Sequence, residues 1–243
     1  MRHRTKLSKI FTISALASGL LLAGCGDDGK DGKDAQSVVG TTTSGFVIPE
    51  GAIFVAPDAA DGENITEALS LALFEAPEDA LVVLPKGRFV VTESIVVNSA
   101  RGLTVAGHGM NETILDFSTS NGDDAFRFQG GNGITVRDLA VYEAPKNGIK
   151  TTNVNGIHIT NTAKNNVAGI EIENSSMADV YNNIAVGNSG GILSFDLPGL
   201  DKAYGSNVRI FNNQIYANNA DNVGAGVVGA VPPGTGVIIT CLQ

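Results

Sequence analysis

The second half of the chain repeats itself about every 22 residues, and this repeat restricts the fold more than any other feature of the sequence. Each unit carries an apolar marker, and four such markers can be placed in register: Val136, Ile159, Val180 and Ile210. A Gly-Ile pair tracks them, beginning at Gly148, Gly169 and Gly191. Because the units hold short alternating apolar runs and no helical pattern, they predict a solenoid of stacked coils.

Polar residues keep the same register. Side chains alternate along a strand, so the residues two positions before each marker are predicted to face the core with it: Ile134, Ile157, Ala178 and Val208. Two positions after each marker stands an Asx residue: Asp138, Asn161, Asn182 and Asn212. Asx side chains stacked about 4.8 Å apart can hydrogen-bond as a ladder, and Asn tolerates the left-handed backbone of a sharp corner. We therefore expect this column to form an Asx ladder at a corner of each coil.

The outward side chains offer the candidate site. One outward column holds Thr135, His158, Asp179 and Arg209, and the parallel column holds Arg137, Thr160, Tyr181 and Phe211. Aromatic faces and Arg/Asp pairs suit sugar rings and their hydroxyls, so we take His158, Asp179, Arg209 and Arg137 as catalytic candidates and Tyr181 as a ligand-binding candidate. The alternative is a solvated face of mixed charge.

The longest interval between markers contains an insertion, Asp196–Gly205, with the sequence DLPGLDKAYG. Loops on a rigid scaffold often carry function. We expect this segment to leave the coil as a loop beside Arg209. Its ligand-binding candidates are Asp196, Asp201, Lys202 and Tyr204.

The first residues have the pattern of an export signal. Four basic residues precede the apolar run Ile10–Leu22, which is short for a membrane span. The segment ends in Leu22-Ala23-Gly24-Cys25, which resembles the bacterial lipobox, in which the cysteine sulfur is acylated. We predict a signal peptide over residues 1–24, a lipid on Cys25, a flexible acidic tether over 25–45 and one domain over 46–243. Gly26 favours the outer membrane if the source is Gram-negative.

The charge of the chain excludes some partners. The formal net charge is −9, and loss of the four signal-segment charges (Arg2, Arg4, Lys6 and Lys9) makes it −13. So acidic a chain is a poor partner for nucleic acid, and it repels polyanionic sugars unless a local basic patch intervenes. We therefore expect a polysaccharide or a second protein as partner, and membrane contact only through the lipid.

One helix is predicted before the coils. Apolar residues at Ile65, Leu69, Ala72 and Phe74 form a helical stripe, and Asp61 or Asn64 is placed to cap it. Short apolar runs follow and predict strands at Leu81–Leu84, Phe89–Thr92, Ile95–Val97 and Leu103–Ala106.

These segments carry a family resemblance. The repeat IFNNQIYAN with a following Gly-Ile pair is similar to the right-handed parallel β-helix repeat, and the helix followed by VVLPKGRF and GLTVAGHGMNETILDF resembles the cap and first coils of pectate-lyase-like proteins. With the lipobox and tether, the chain resembles bacterial β-helix lipoproteins of unknown function, whose members tend to be encoded beside a second exported protein. The resemblance implies an all-β right-handed parallel β-helix with an N-terminal capping helix, covering Phe46 to about Ile239.

The resemblance leaves the activity open, because β-helices host lyases, hydrolases, epimerases and binding proteins. Asp123-Asp124 and Gly107-His108-Gly109 resemble polygalacturonase motifs, but their order is reversed here. The His and Cys residues lack metal-ligand spacing, and no cofactor motif stands in a suitable context, so we expect neither a metal nor a cofactor.

Three functions remain as hypotheses. The first is an exported, lipid-anchored scaffold that binds a polysaccharide or a partner protein. The second is a polysaccharide lyase, hydrolase or epimerase that acts on an acidic glycan, and the third is a structural envelope protein without a ligand. Val237–Thr240 has the pattern of the opening strand of another coil, from which we expect a C-terminally truncated β-helix whose open end aggregates or pairs with itself.

Overall fold

The computed structural model describes residues 38–42, 45–200, 207–223 and 229–241. The helix and all the strands belong to one compact unit, Gln36–Gln243. The predicted signal segment and Cys25 lie outside the described residues, as do Asp201, Lys202 and Tyr204 of the insertion. In the described part of the chain, no helix combines the length and the apolar character that a membrane span requires.

A short antiparallel pair precedes the coils. It joins β1 (Val38–Thr41) to β2 (Val47–Pro49). Strand β1 lies inside the segment predicted as a tether, 25–45.

The remaining strands pair in parallel and form three faces of a solenoid, with one strand of each coil on each face. The first face consists of β3 (Ile53–Phe54), β4 (Leu81–Val83), β7 (Thr104–Ala106), the first half of β10 (Asn132–Tyr142), the first half of β12 (Asn155–Lys164), β14 (Ser176–Tyr181) and β17 (Val208–Phe211). The second face consists of β5 (Gly87–Val90), β8 (Thr113–Asp116), the second halves of β10 and β12, β15 (Ile184–Val186) and β18 (Gln214–Tyr216).

The third face consists of β6 (Ile95–Asn98), β9 (Phe126–Gln129), β11 (Asn147–Thr152), β13 (Ala168–Glu173), β16 (Gly190–Asp196) and β19 (Thr235–Cys241). The predicted parallel β-helix is therefore confirmed. The four strands predicted from the early apolar runs correspond to β4, β5, β6 and β7 within two residues at each end.

The core lies between the three faces. Ile134, Ile157 and Ala178 are buried together with the markers Val136, Ile159 and Val180, as the alternation predicts. Phe126 and Phe128 fill the core behind β9, where their rings stack 5.9 Å apart. Each fully buried side chain of this size stabilises the fold by about 1.5–3 kcal/mol relative to an exposed one.

The helix α1 (Thr66–Phe74) packs on the first coils through Ile65, Leu69 and Leu73. Phe74, predicted on the buried stripe, is 88% exposed, because the next inward position after Leu69 is the fourth residue on, Leu73. The N-cap position is Ile65, and Asn64 stands one residue before it, where its Oδ1 accepts the Thr66 N–H at 2.9 Å.

The predicted Asx ladder is wrong in its membership. Asp138, Asn182 and Asn212 have φ values of 58°, 54° and 54°, which is the left-handed corner conformation, but Asn161 does not share it. The corner that contains Asn161 is one residue shorter, because Thr162 pairs with both Ala140 and Ile184. Asn161 therefore aligns with the second asparagine of each pair rather than with the first.

The hydrogen-bonded ladder runs through Asn161, Asn183 and Asn213. The Asn161 N–H donates to Oδ1 of Asn183 at 2.6 Å, and the Asn183 N–H donates to Oδ1 of Asn213 at 2.9 Å. A second ladder stands five residues later, at the corner between the second and third faces: Asn166, Asn188 and Asn218. Each of the three repeats marked by Ile159, Val180 and Ile210 therefore contributes one asparagine to each of two corners.

The Gly-Ile marker has a steric cause. A Cβ on Gly148 or Gly169 would lie 2.7 Å from the carbonyl oxygen of the next glycine in the column and 3.1 Å from Nδ2 of a ladder asparagine. The same position in Gly191 would meet the Gly236 oxygen at 2.4 Å. Glycine is needed there because the backbone of the next coil, and after it the second ladder, lie too close to the third face to admit a side chain.

Candidate functional site

The outward column of the first face stacks His158, Asp179 and Arg209 on consecutive coils. His158 pairs with Asp179 in the β12–β14 register, and Asp179 pairs with Arg209 in the β14–β17 register. Their side chains leave the same surface of the sheet at the spacing of neighbouring strands, which is about 4.8 Å. The structure thus brings together three of the four catalytic candidates, whose role stays a prediction.

Asp179 and Arg209 form a bidentate ion pair. Arg209 Nε donates to Oδ1 of Asp179 at 2.6 Å, and Nη2 donates to Oδ2 at 2.5 Å. The carboxylate side chain is 15% exposed and the guanidinium side chain 70% exposed. The hydrogen bond from Arg209 lowers the pKa of Asp179, and the same bond raises the pKa of Arg209. The pair is consequently held charged at neutral pH.

His158 lies beside this pair without bonding to it. Its Nδ1 is 3.7 Å from Oδ2 of Asp179, beyond hydrogen-bond distance, and about half of its side chain is exposed. The histidine and the ion pair line an open cavity of about 630 Å³. The rest of its described lining is Gly156, Met177 and Asn207.

Those three lining residues were missed from the sequence. Each stands two positions before a predicted site residue: Gly156 before His158, Met177 before Asp179, and Asn207 before Arg209. Extending the alternation by one step toward the start of each strand would have identified them.

An aromatic pair adjoins the ion pair on the next outward column. The rings of Tyr181 and Phe211 are parallel within 4°, with centroids 5.1 Å apart. The Arg209 guanidinium carbon lies 6.0 Å from the Phe211 ring centroid, and Phe211 is exposed. Tyr181, the predicted ligand-binding aromatic, therefore sits at the edge of the same surface as Asp179 and Arg209.

Arg137, the fourth catalytic candidate, does not line the cavity. Its guanidinium lies 4.4 Å from the Phe46 ring centroid, and its Nε donates to Asp138 at 2.5 Å. These contacts hold Arg137 against the segment before the first coil, apart from His158, Asp179 and Arg209, and its catalytic role stays a prediction.

The insertion returns to the first face at the cavity. Asp196 ends β16 and pairs with Cys241 of β19, on the third face. Asn207, two residues after the insertion, lines the cavity beside Arg209. The chain thus re-enters the first face where the sequence placed it, while Asp201, Lys202 and Tyr204 lie outside the described residues.

The Asp123-Asp124 and Gly107-His108-Gly109 motifs lie away from the first-face cavity. Asp123 accepts a hydrogen bond from Lys146 at 2.9 Å, whereas the buried Asp124 accepts one from Asn147 at 2.8 Å. The two carboxylates therefore serve separate contacts. His108 lines another cavity, of about 330 Å³, where burial, with the nearby Lys86, lowers its pKa. Among the described residues, no group of three or more His, Cys, Asp or Glu side chains could hold a metal ion.

One ionic cluster was not found from the sequence. On the outward side of the third face, Lys150 Nζ lies 2.9 Å from both Glu171 Oε1 and Glu173 Oε2. Glu171 is only 1% exposed, and burial raises its pKa to about 7. Beside it, Leu193 and Phe195 pack with Val231, which follows β18 in the chain. Since the cluster is covered, it offers no carboxylate to a ligand in solution.

Comparisons with known proteins agree with this geometry. The protein-family model for the right-handed β-helix region matches residues 70–199, which is more than half of the chain. The crystal structure of the Agl-KA catalytic domain matches with 17% identity and a TM-score of 0.53, covering 69% of this chain and 38% of that one. ORF18 of Geobacillus virus E2 matches with 15% identity and a TM-score of 0.41, covering 67% and 40%.

The chain thus spans about two fifths of the length of those two structures. A comparison with curated proteins finds no match. At 17% identity the Agl-KA structure supports the fold alone, and the family match supplies the handedness that the sequence predicted. The chain belongs to the right-handed β-helix family.

Proposed function

We propose that this protein is a binding scaffold that holds a polysaccharide against the first face of its β-helix. The observation that carries the proposal is the Asp179–Arg209 pair beside the exposed ring of Phe211, at an open cavity of about 630 Å³. Sugars present hydroxyls that both donate and accept hydrogen bonds, together with apolar ring faces. A surface that binds them needs both kinds of contact in fixed positions.

The ion pair supplies the polar contacts. A guanidinium has five N–H donors, and Arg209 gives one from Nε and one from Nη2 to Asp179, so the remaining donors are free to reach a ligand. The carboxylate oxygens in turn can accept from hydroxyls. Because the pair is already formed, a ligand meets it without first ordering two flexible side chains.

The aromatic pair supplies the apolar contact. The stack of Tyr181 on Phe211 holds both rings in place, and Arg209 lies over Phe211. Rigid aromatic side chains bury a large area at little entropic cost. A sugar ring that packs on Phe211 is within reach of the Arg209 guanidinium.

The charge balance favours a neutral glycan. Arg209 is neutralised by Asp179, and the chain as a whole carries a formal charge of −9. A polyanionic sugar would be repelled by this charge and would find no unpaired Arg or Lys among the described residues of the cavity.

The same pair argues for binding over catalysis. Glycoside hydrolysis uses two carboxyl groups, and the described lining of the cavity contributes only Asp179. The hydrogen bond from Arg209 lowers the pKa of this carboxyl, which makes it a weak base.

A carbohydrate-active enzyme, acting on an acidic glycan, is the second candidate. His158 favours it, because a half-exposed imidazole 3.7 Å from a carboxylate is placed to accept a proton from a bound sugar. Under this alternative, His158 is the base and Arg209 orients the substrate.

We further propose that the chain is exported and lipid-anchored to the cell envelope through Cys25. The support is the sequence of its first 25 residues, with four positive charges, an apolar run and a small-small-Cys ending. The anchored scaffold would then hold envelope or extracellular glycans near the membrane.

A glycan panel tests the proposal against its alternative. The purified protein is applied to neutral and uronate polysaccharides, and bound glycan, reducing ends and unsaturated products are measured together. Saturable binding of a neutral glycan without turnover supports the scaffold. Turnover of a uronate that is lost in His158→Ala supports the enzyme, and the absence of both binding and turnover contradicts both functions.

A further inference from the structure

A second groove lies away from the first face, between α1 and β6. It has a volume of about 850 Å³, and its lining includes Glu67, Leu71, Phe74, Glu93 and Val96. A smaller depression of about 320 Å³ shares Phe74 and Val96 with it. The two cavities adjoin at these residues, and the larger one is called the groove below.

The groove exposes large apolar side chains. Phe74 is 88% exposed, Leu71 48% and Val96 44%. Single exposed apolar residues are common, but three that flank one groove form a patch of the kind that marks an interaction site. None of the three belongs to the hydrophobic core. The helix packs on the core with its opposite side, through Leu69 and Leu73.

The rim of the larger cavity is acidic, whereas the smaller depression is lined by the paired Glu78 and Arg101. Glu67 lies on α1, Glu93 lies just before β6, and neither forms an ion pair with another described residue. The larger cavity has no Lys or Arg in its lining. Two uncompensated carboxylates beside an apolar floor complement a ligand that is both basic and apolar.

The walls of the groove are held rigidly. The Thr92 N–H donates to Oγ1 of Thr66 at 2.8 Å, and this hydroxyl in turn donates to Asn64 at 2.7 Å. These bonds tie the start of the helix to the corner before β6. Because both walls are fixed before binding, a ligand loses little free energy in ordering them.

We propose that this groove docks a peptide segment of a partner protein, with apolar side chains over Phe74 and Val96 and a basic side chain between Glu67 and Glu93. An anionic lipid surface does not fit, since the rim and the chain are both negative. The docking site is independent of the glycan-binding proposal, because none of its residues lies on the first-face cavity.

The probe for the test is a fluorescein-labelled peptide of alternating Leu and Lys. Its anisotropy is measured with the full-length protein in detergent, beside two control peptides in which Ser replaces every Leu or Glu replaces every Lys. The docking proposal predicts saturable binding of the Leu/Lys peptide alone.

Paired variants locate the binding. Both Leu71→Ser with Phe74→Ser and Glu67→Lys with Glu93→Lys should weaken the affinity by roughly tenfold or more. The matched controls are Phe54→Ser, an exposed aromatic on β3, and Asp58→Lys with Glu112→Lys, exposed acids outside the groove. They should bind as the wild type does.

All the substituted side chains are exposed, so folding is checked by the thermal midpoint and should be unchanged. Equal affinity in the wild type and both groove variants, or equal loss in the control variants, would overturn the proposal. So would the absence of saturable binding by the wild type.

Discussion

The side-chain amide of Asn183 donates to Oδ1 of Asn213, one coil later, at 2.9 Å. The same amide donates to the Ile159 carbonyl at 2.9 Å, while Oδ1 of Asn183 accepts the Asn161 N–H at 2.6 Å. Asn183 therefore connects three successive coils from a buried corner. Only an amide side chain of this length offers the donor and the acceptor that both neighbours need.

The two asparagines of one pair should differ in their effect on stability. Asn183→Ala leaves the Asn161 N–H and the Ile159 carbonyl without their partners in a buried site, so we expect a loss of about 2–4 kcal/mol in the free energy of unfolding. Asn182→Ala affects only a left-handed corner and should cost about 1 kcal/mol. Urea unfolding measures both, and an equal cost, or a larger cost at Asn182, would contradict the ladder.

The glycine column predicts a second difference. Gly169→Ala places a methyl group 2.7 Å from the Gly191 carbonyl oxygen and 3.1 Å from Nδ2 of Asn188, so the free energy of unfolding should fall by about 1–3 kcal/mol. Gly40→Ala is the control, because a methyl group there meets no atom within 4 Å. Similar unfolding curves for the two variants would show that the close approach is not needed.

Glu171 should make the protein less stable as the pH rises toward neutral. Burial raises its pKa from 4.5 to about 7, so between these values the folded protein holds a proton that the unfolded chain has released. The free energy of unfolding therefore falls across this range, by on the order of 3 kcal/mol, and levels off above it. Asp179 has the opposite effect on stability. Because its pKa is lowered from 3.8, the free energy of unfolding falls as the pH drops below about 4.

Glu171→Gln isolates this effect. The amide keeps an acceptor for Lys150 but cannot ionise, so the slope between pH 4.5 and 7 should flatten and the protein should gain stability at pH 8. Glu67→Gln, an exposed residue on α1, is the control and should keep the wild-type slope. An unchanged slope in Glu171→Gln would refute the assignment.

If Cys25 carries the lipid, its substitution should release the protein from the membrane fraction. The wild-type chain should sediment with membranes and incorporate labelled palmitate, because an acylated cysteine with a second chain anchors a protein stably. Cys25→Ala should lose the label, whereas Cys241→Ala should keep it. Label retained in Cys25→Ala would exclude this residue as the acylation site.

The repeat predicted most of the architecture because strand alternation is a local property. Val136, Ile159 and Val180 are buried as their spacing indicated, and His158, Asp179 and Arg209 share one outward column. The prediction of the ladder was wrong because the corner that contains Asn161 is one residue shorter than the others. Counting two positions from each marker therefore aligned Asn161 with the first asparagine of each pair, although it aligns with the second. Corner lengths depend on how neighbouring coils pack, and a fixed register cannot show this.

The burial of outward side chains on the third face could not be predicted from alternation. Glu171 and Leu193 stand at outward positions, and alternation assigns such positions to solvent. Val231, which follows β18 in the chain, packs on Leu193 and Phe195. Burial on this face is therefore set by a distant part of the chain, and the raised pKa of Glu171 follows from it.

The most direct test of the proposed function is the affinity for the neutral glycan that binds best in the panel, measured by isothermal titration calorimetry for three proteins. Arg209→Ala removes the donor side of the pair at the cavity, whereas Arg101→Ala removes an exposed ion pair with Glu78 elsewhere. We predict that Arg209→Ala binds roughly tenfold more weakly or worse and that Arg101→Ala binds like the wild type. Equal affinity in all three proteins would contradict glycan binding at the Asp179–Arg209 pair.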